Sequence, residues 1–181
     1  MIVLLNGYPG VGKMTIGRYL AEIIDGKLLD IHSVYNVAFA LTEFKSPQFK
    51  ETVRKTEAIA HDLILNLPDE VPVVLTTVLT GESEWANEEW RRLEMLGNAR
   101  PPFCVVHIQC DLDENIRRIQ SESRDGMRKP RSTEMVKRNQ LQAKLLAGSD
   151  APCFLKLDST NLTAEESAME IKNWLRRSPV E

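Results

Sequence analysis

The sequence predicts an α/β fold, a three-layer α/β/α sandwich with a five-stranded parallel sheet at its centre. Near-continuous apolar runs rich in β-branched residues alternate with amphipathic helical patterns. This alternation is expected when crossover helices bury both faces of a parallel sheet. A glycine-rich turn also joins the first apolar run to the first helical pattern. The 181 residues are sufficient for one domain, 1–181, and they contain neither an internal repeat nor an interdomain linker.

The predicted elements alternate along the whole chain. The predicted strands are Ile2–Asn6, Lys27–Ile31, Val71–Val78, Phe103–Cys110 and Phe154–Asp158. The predicted helices are Lys13–Ile24, Ser33–Leu41, Pro47–Leu67, Glu82–Gly97, Leu112–Ser123, Thr133–Ala147 and Ala164–Arg177. Asp111 and Thr163 are expected N-caps, with Glu166 as the capping-box partner of Thr163. Because ligands of such sheets bind beyond the carboxyl ends of the strands, the residues that follow each strand are the candidates for a site.

Composition restricts the classes of partner. The formal net charge of -3 and the pI near 5.7 give no general attraction to nucleic acid or to an anionic membrane. No apolar run approaches the roughly 20 residues that span a bilayer, and the first apolar run is too short for a secretory signal. The three cysteines lack CxxC spacing, which favours buried thiols. We therefore expect a cytoplasmic protein without nucleic-acid or membrane partners, and the sequence does not indicate its oligomeric state.

The segment Gly7-Tyr8-Pro9-Gly10-Val11-Gly12-Lys13-Met14-Thr15 has the pattern of a phosphate-binding loop. It matches G-x-x-x-x-G-K-[ST] except at the last position, which Met14 occupies. In such a loop the backbone N–H groups converge on the phosphates, and the lysine reaches the outer ones. The predicted nucleotide-binding residues are Gly7, Pro9, Gly10, Val11, Gly12, Lys13, Met14 and Thr15. The alternative is a glycine-rich turn with an incidental lysine.

Magnesium ligation is expected to depart from the usual pattern. A methionine thioether does not bind a hard cation, so Thr15 is the predicted protein ligand, and most ligands would be water and nucleotide phosphates. The third predicted strand ends in threonines, Thr76, Thr77 and Thr80, without an acid. This argues against a motor or an AAA-type machine. The threonines either bind substrate or reflect β propensity alone.

The pattern G-x-P-G-x-G-K-x-T within residues 7–15 resembles the loop of adenylate kinases and related small P-loop kinases. The resemblance is specific over Ile2–Leu20 and continues loosely to shikimate, gluconate and adenylylsulfate kinases. It implies a P-loop NTPase fold of the nucleoside/shikimate kinase type, with ATP and Mg²⁺ and a small helical lid. Adenylate kinases commonly carry glycine where this chain has Met14. In the resembled kinases the loop matching residues 158–162 flanks the adenine ring.

Asp30 and His32 stand near the end of the second predicted strand and would share one side of it. A carboxylate there can orient an acceptor hydroxyl or take its proton late in the transfer. The resembled kinases carry an acid in the matching place, which assigns substrate binding to Asp30 alone. The alternatives are that Asp30 caps a helix starting near Ser33 and that His32 satisfies local hydrogen bonds. His61 and His107 receive no predicted role.

Residues 117–138 are strongly basic in an acidic chain. Eight cations face three acids, and glycine and proline near the centre predict a mobile loop. In the resembled kinases this region is a lid whose arginines close over ATP. The resemblance thus implies a lid insertion at about 117–138, with Arg124 and Arg128 catalytic and Arg117 and Arg131 binding the nucleotide. The alternative is a solvated charge run, and nucleic-acid binding would require interleaved aromatic residues, which are absent.

The predicted function is transfer of the γ-phosphate of ATP to a small-molecule acceptor, with Lys13, Asp30, Arg124 and Arg128 as catalytic residues. A nucleotide-binding module or weak ATPase without a dedicated acceptor is an alternative, as is a nucleoside monophosphate kinase. A protein or an antibiotic as acceptor is also left open. The acceptor would contact residues 33–67 and the stretch after Thr80. The aromatic and amide side chains there either line a pocket or pack: Tyr35, Asn36, Phe39, Trp85 and Trp90.

Overall fold

A computed structural model of the chain describes residues 1–80, 83–121, 131–142 and 146–178. Five strands form one sheet of parallel pairs in the order β2-β3-β1-β4-β5. The strands are β1 (Ile2–Asn6), β2 (Lys27–Asp30), β3 (Val73–Thr77), β4 (Phe103–Gln109) and β5 (Cys153–Asp158). The helices are α1 (Lys13–Ile23), α2 (Ile31–Leu41), α3 (Pro47–Leu65), α4 (Glu84–Ala99), α5 (Leu112–Gln120), α6 (Thr133–Gln142) and α7 (Ala164–Leu175).

The central strand β1 is buried on both faces, which explains why its sequence is apolar without alternation. Val3 and Leu5 join a core cluster with residues of α1 and α7. Ile2 and Leu4 join a second cluster with residues of α4 on the opposite face. The predicted three-layer fold with a five-stranded parallel sheet is therefore confirmed.

The junction after β2 differs from the prediction. The strand ends at Asp30, one residue earlier than predicted, and α2 begins at Ile31, two residues earlier than predicted. The backbone N–H of Ile31 donates to Thr76 Oγ1 at 3.3 Å, so a β3 side chain satisfies one of the free amides of the first helical turn. The strand-period argument for His32 was wrong, because His32 lies in the first turn of α2.

The helix predicted to reach Ala147 was also too long. Within the described residues α6 ends at Gln142, and Leu146 pairs with Thr80 in an isolated antiparallel bridge. The N–H of Ala147 donates to the carbonyl of Leu79 at 3.0 Å. These pairings to the segment after β3 replace the helical pattern at Leu146 and Ala147.

Asn6, the last residue of β1, fastens this return of the chain to the sheet. Its Nδ2 donates to the carbonyls of Leu79 and Ala147 at 3.0 and 3.1 Å, and its Oδ1 accepts from the N–H of Leu79 at 3.0 Å. His107 Nε2 lies 2.8 Å from the same Ala147 carbonyl. The carboxyl edge of the sheet is thus braced by side chains from β1 and β4.

The predicted caps are confirmed. Asp111 accepts from the N–H of Glu114, and Thr163 and Glu166 form a complete capping box at α7. Among the described helices, none is both long and apolar enough to cross a membrane.

Candidate functional site

A cavity of about 960 Å³ opens at the carboxyl edge of the sheet. The loop before α1 and the first turns of α1 form one wall, and the ends of β2 and β3 with α2 and α4 form another. Residues of α5 and of the loop after β5 close the remaining side. The position agrees with the rule that ligands of parallel sheets bind beyond the strand ends.

The loop between β1 and α1 has the backbone geometry of an anion site. Gly10 and Gly12 adopt φ values of +96° and +99°, which a side chain would strain. Gly12 is the N-cap of α1, where no side chain caps the helix and no acid stands in the first turn. The helix N-terminus therefore keeps its positive end toward the cavity.

Lys13 is bound to this loop. Its Nζ donates to the carbonyls of Gly7 and Tyr8 at 2.5 and 3.0 Å, and the residue is 9% exposed. The ammonium group thus lies beside the loop carbonyls at the cavity wall, and its binding of phosphate stays a prediction.

The other predicted loop residues divide into two groups. Those that line the cavity are Pro9, Gly10, Gly12, Lys13, Met14 and Thr15. Gly7 and Val11 lie behind them and shape the loop instead. A Cβ on Gly7 would stand 2.4 Å from the carbonyl oxygen of Ile108, so only glycine fits there.

The donor set at the loop suits phosphate better than a protein-held metal. Thr15 is exposed to the cavity with its hydroxyl, and beside it Met14 offers only a thioether. Residues 1–80, 83–121, 131–142 and 146–178 contain no group of three histidine, cysteine or acidic side chains that could hold a metal ion. A magnesium ion here would take most of its ligands from water and phosphate oxygens.

Arg118 lines the cavity and joins two of its walls, a role that sequence reasoning missed. Its guanidinium donates to the carbonyl of Val11 at 3.0 Å and to the hydroxyl and carbonyl of Ser159 at 2.9 and 2.7 Å. A fourth hydrogen bond of 2.5 Å reaches Glu114. Arg118 thereby joins the phosphate loop to the segment after β5, two regions separated by more than one hundred residues.

We expect Arg118→Ala to lower the free energy of unfolding by about 2–3 kcal/mol, because it removes three hydrogen bonds between a guanidinium and the buried residues Val11 and Ser159. The matched control is Arg117→Ala. Arg117 is exposed and pairs with Glu114, so its loss should cost less than about 1 kcal/mol. Urea unfolding of the two variants measures the difference. Equal losses would contradict a bracing role for Arg118.

Asp30 faces the cavity from the end of β2. The residue is 8% exposed, and its Oδ1 accepts from Thr76 Oγ1 at 2.5 Å. Asp30 occupies the N-cap position of α2, but its side chain makes no capping hydrogen bond. The alternative that Asp30 serves as a helix cap is therefore wrong. His32, in the first turn of α2, also lines the cavity.

A second acid, Glu89 of α4, lies at the same end of the cavity below Thr77 of β3. Trp85 Nε1 donates to the hydroxyl of Tyr35 at 3.2 Å, and that hydroxyl donates to Glu89 Oε2 at 2.7 Å. Thr77 Oγ1 lies 3.5 Å from the other carboxylate oxygen. Burial raises the pKa of Glu89 to about 7, against the opposing effect of the Tyr35 hydrogen bond. Sequence patterns missed Glu89 because it lies inside a helix and not after a strand.

The aromatic residues left open by the sequence divide in the same way. Tyr35 and Phe39 line the cavity, Trp85 supports Tyr35, and Trp90 packs against Phe103. Asn36 is exposed and does not line the cavity.

Near Glu89, buried Glu57 forms an ion pair with half-buried Arg92. Arg92 Nε donates to Glu57 Oε2 at 2.5 Å, and His61 Nε2 lies 3.9 Å from Glu57. Burial raises the pKa of Glu57 and lowers that of His61. Arg92 does not line the cavity, because its guanidinium lies between Glu57, Glu88 and the ring of Trp85.

The Glu89 carboxyl predicts a pH-dependent stability. Its pKa rises from 4.5 in the unfolded chain to about 7 in the fold, so the stability present below pH 4.5 is lost as the pH rises toward 7. Relative to Glu89→Gln, the wild-type free energy of unfolding should fall by about 3 kcal/mol across this window. The difference between the two proteins removes the contributions of groups that do not interact with Glu89. Glu94→Gln, the same chemical change on the same helix, is the control for the substitution itself. A pH-independent difference for Glu89→Gln would contradict the assignment.

The predicted lid is described in part. Arg124 and Arg128 lie outside the described residues. Arg117 lines the cavity and forms two hydrogen bonds with Glu114, whose pKa the Arg117 and Arg118 guanidinium groups lower to about 2. Arg131 Nη2 donates to the carbonyl of Gln120 at 3.1 Å and does not line the cavity. A nucleotide contact by Arg131 stays a prediction.

Comparisons with known proteins agree with this fold and loop. Residues 3–142 match the family model of the AAA domain, AAA_18. The shikimate kinase of Staphylococcus aureus is 25% identical over 179 residues, which cover 97% of this chain and 94% of that protein. Among solved structures, a proposed kinase from Chloroflexus aurantiacus superposes with a TM-score of 0.68 at 16% identity, covering 98% of this chain and 96% of the other. Shikimate kinase from Acinetobacter baumannii in complex with shikimate gives a TM-score of 0.61 at 16% identity, with coverages of 99% and 95%.

These similarities confirm the predicted resemblance to small P-loop kinases and the shikimate kinase-like fold. The match to an AAA domain model assigns residues 3–142 to a domain family and does not test mechanical activity. The expectation that the chain is not a mechanical AAA-type machine therefore stays a prediction. With three quarters of its residues matched by the model, the chain belongs to the AAA domain family AAA_18, within which it has the P-loop and fold of a small-molecule kinase.

Proposed function

We propose that this protein is an ATP-dependent kinase that transfers the γ-phosphoryl group of ATP to a hydroxyl group of a small molecule. The observation that carries the proposal is the shared cavity. Lys13 and the phosphate loop form one wall, and the buried carboxylate of Asp30 faces the same space from the end of β2. A phosphoryl donor and a hydroxyl acceptor bound at these two places would be neighbours.

In this proposal the loop amides, the α1 N-terminus and Lys13 hold the outer phosphates and stabilise the charge on the transferred group. Asp30, oriented by Thr76, accepts a hydrogen bond from the acceptor hydroxyl and directs its oxygen toward phosphorus. The new bond joins this oxygen to the γ-phosphorus as the bond to the bridging oxygen of ADP breaks. The hydroxyl proton passes to Asp30 or to solvent, and ADP leaves.

The proposal extends to the organisation of the chain. Residues 1–181 would act as a single domain in the cytoplasm, with residues 117–138 as the lid over ATP. The position of Arg117 at the cavity wall favours a lid formed by this segment. ATP with magnesium would be the donor, and the acceptor would be a small molecule and not a nucleic acid.

The test is acceptor-dependent formation of ADP and of a phosphorylated product across a metabolite panel, followed by ³¹P NMR and mass spectrometry. One acceptor that stimulates ADP release and appears as its phosphate ester establishes the kinase. The panel includes nucleoside monophosphates, because the loop also resembles that of adenylate kinases. Tight ATP binding without any acceptor-dependent product would overturn the proposal.

A second candidate is a nucleotide-binding module with slow turnover. The observation that favours it is Met14, which lines the cavity where the phosphate-loop pattern has a magnesium-binding hydroxyl. This candidate predicts ATP binding that depends weakly on magnesium. A titration with and without Mg²⁺ separates the candidates, since a kinase of this type requires the ion for transfer.

A further inference from the structure

The acceptor end of the cavity can be delimited by the side chains around Asp30. It is formed by the end of β2, the first three turns of α2, the end of β3 and one residue of α4. The lining residues at this end are Asp30, His32, Tyr35, Phe39, Thr77 and Glu89. What an acceptor meets there determines which molecules the site can take, and this argument rests on the proposed function.

Both acids at this end have neutral partners. Asp30 accepts from the hydroxyl of Thr76, and Glu89 accepts from the hydroxyl of Tyr35. Within the described parts of the chain, no lysine or arginine lies within ion-pair distance of either carboxylate. The Arg92 guanidinium is paired with Glu57, and its charge only partly offsets the effect of burial on the pKa of Glu89. Among the described residues, the acceptor end therefore presents two acids and no lysine or arginine paired with them.

The described cations of the cavity lie on other elements. Lys13 and Arg18 belong to α1, and Arg117 and Arg118 belong to α5. Arg117 and Arg118 pair with Glu114, and Arg118 is further occupied by Val11 and Ser159. An acceptor carboxylate or phosphate at the Asp30 end would approach two acids, and the described part of the chain places no lysine or arginine beside them.

We propose that the acceptor is a polyol that carries no acidic group, and that Glu89 is the residue that excludes anionic acceptors. Carboxylate oxygens accept hydrogen bonds from sugar-like hydroxyls, and Tyr35 and Phe39 supply apolar faces for the carbon skeleton. A second negative charge within a few ångströms of a buried carboxylate is repelled more strongly than in water. The exclusion is therefore a repulsive element built into the pocket.

The test uses pairs of compounds that differ chiefly in charge: methyl shikimate with shikimate, and glucitol with gluconate. Dissociation constants are measured calorimetrically with a non-hydrolysable ATP analogue bound, at pH 8.5, above the pKa of about 7 at which the Glu89 carboxyl ionises. In the wild-type protein we expect the neutral member to bind at least about tenfold more tightly than its acid partner. Equal or tighter binding of the acids overturns the inference, as does failure of both neutral compounds to bind at millimolar concentration.

The variant Glu89→Gln tests whether Glu89 is the residue that excludes anionic acceptors. It should reduce the preference for the neutral compound to within about threefold, chiefly because the acid partner binds more tightly than it does to the wild-type protein. Glu94→Gln, an equal change of charge elsewhere on α4, should keep the wild-type preference. An unchanged preference in a folded Glu89→Gln protein removes Glu89 from the inference. If that variant does not fold, the wild-type affinity ratio decides the acceptor class by itself.

Phosphate transfer to each compound is scored separately by ³¹P NMR. A neutral compound that binds with the expected preference but is not phosphorylated contradicts the kinase and leaves the binding preference standing. Phosphorylation of shikimate or gluconate in preference to the neutral partner supports the kinase and overturns the inference. If Arg18→Gln then abolishes the preference for shikimate or gluconate, the carboxylate of the acceptor binds to Arg18 of α1.

Discussion

Lys13→Ala is expected to reduce phosphoryl transfer by about 10²- to 10³-fold and to weaken ATP binding as well. The Lys13 ammonium group is the described cation closest to the phosphate loop, where it is hydrogen-bonded to two loop carbonyls. An alanine would leave the phosphates with backbone amides and the helix terminus alone. Calorimetric titration with ATP measures the loss without knowledge of the acceptor, and ADP release measures it once an acceptor is found.

The control for this substitution is Lys27→Ala. Lys27 is exposed at the start of β2, at the opposite edge of the sheet, so ATP binding should not change. Lys27→Ala should unfold at nearly the wild-type temperature, and Lys13→Ala, although less stable, should remain folded at the temperature of the titration. Wild-type ATP affinity in Lys13→Ala would show that the glycine-rich loop is only a turn.

Asp30→Asn is expected to reduce turnover by about 10²-fold while ATP affinity changes less than about twofold. The amide keeps the size of the side chain and can still meet Thr76 Oγ1, but it no longer carries the charge that attracts the acceptor hydroxyl proton. The effect should therefore appear in the transfer step and not in nucleotide binding. Steady-state kinetics with the acceptor, together with ATP titration, separates the two.

The matched control is Asp62→Asn, the same chemical change at an exposed position of α3. Its turnover should equal that of the wild-type protein. Full activity of Asp30→Asn would remove Asp30 from the mechanism and leave the acceptor hydroxyl to be oriented by other groups.

The sequence was sufficient for the fold because both of its periodic signals were strong. β1 is buried along its whole length, and the helices around the sheet show a clear apolar face, so strand and helix patterns do not compete. The phosphate loop could be predicted because its function depends on backbone conformation, which requires glycine at fixed positions such as Gly10 and Gly12. Local signals of this kind are visible without tertiary structure.

The missed residues have no local signal. Arg118 is one basic residue among eight in its segment, and its partners Val11 and Ser159 lie far away in the sequence. Glu89 looks like any surface acid of a helix until β3 and α2 are packed against it. The end of β2 was misplaced because the first amide of α2 is satisfied by Thr76 of another strand. Each of these features depends on contacts that only the assembled sheet creates.

The hydrogen bonds of Lys13 to Gly7 and Tyr8 have a consequence for rates. A loop that is already closed around its own ammonium group does not need to fold when the nucleotide arrives, so little ordering entropy is lost on binding. Association should then be limited by diffusion and charge, with a rate constant that falls as salt is added. Differences in nucleotide affinity among loop variants should accordingly appear in the residence time of the complex.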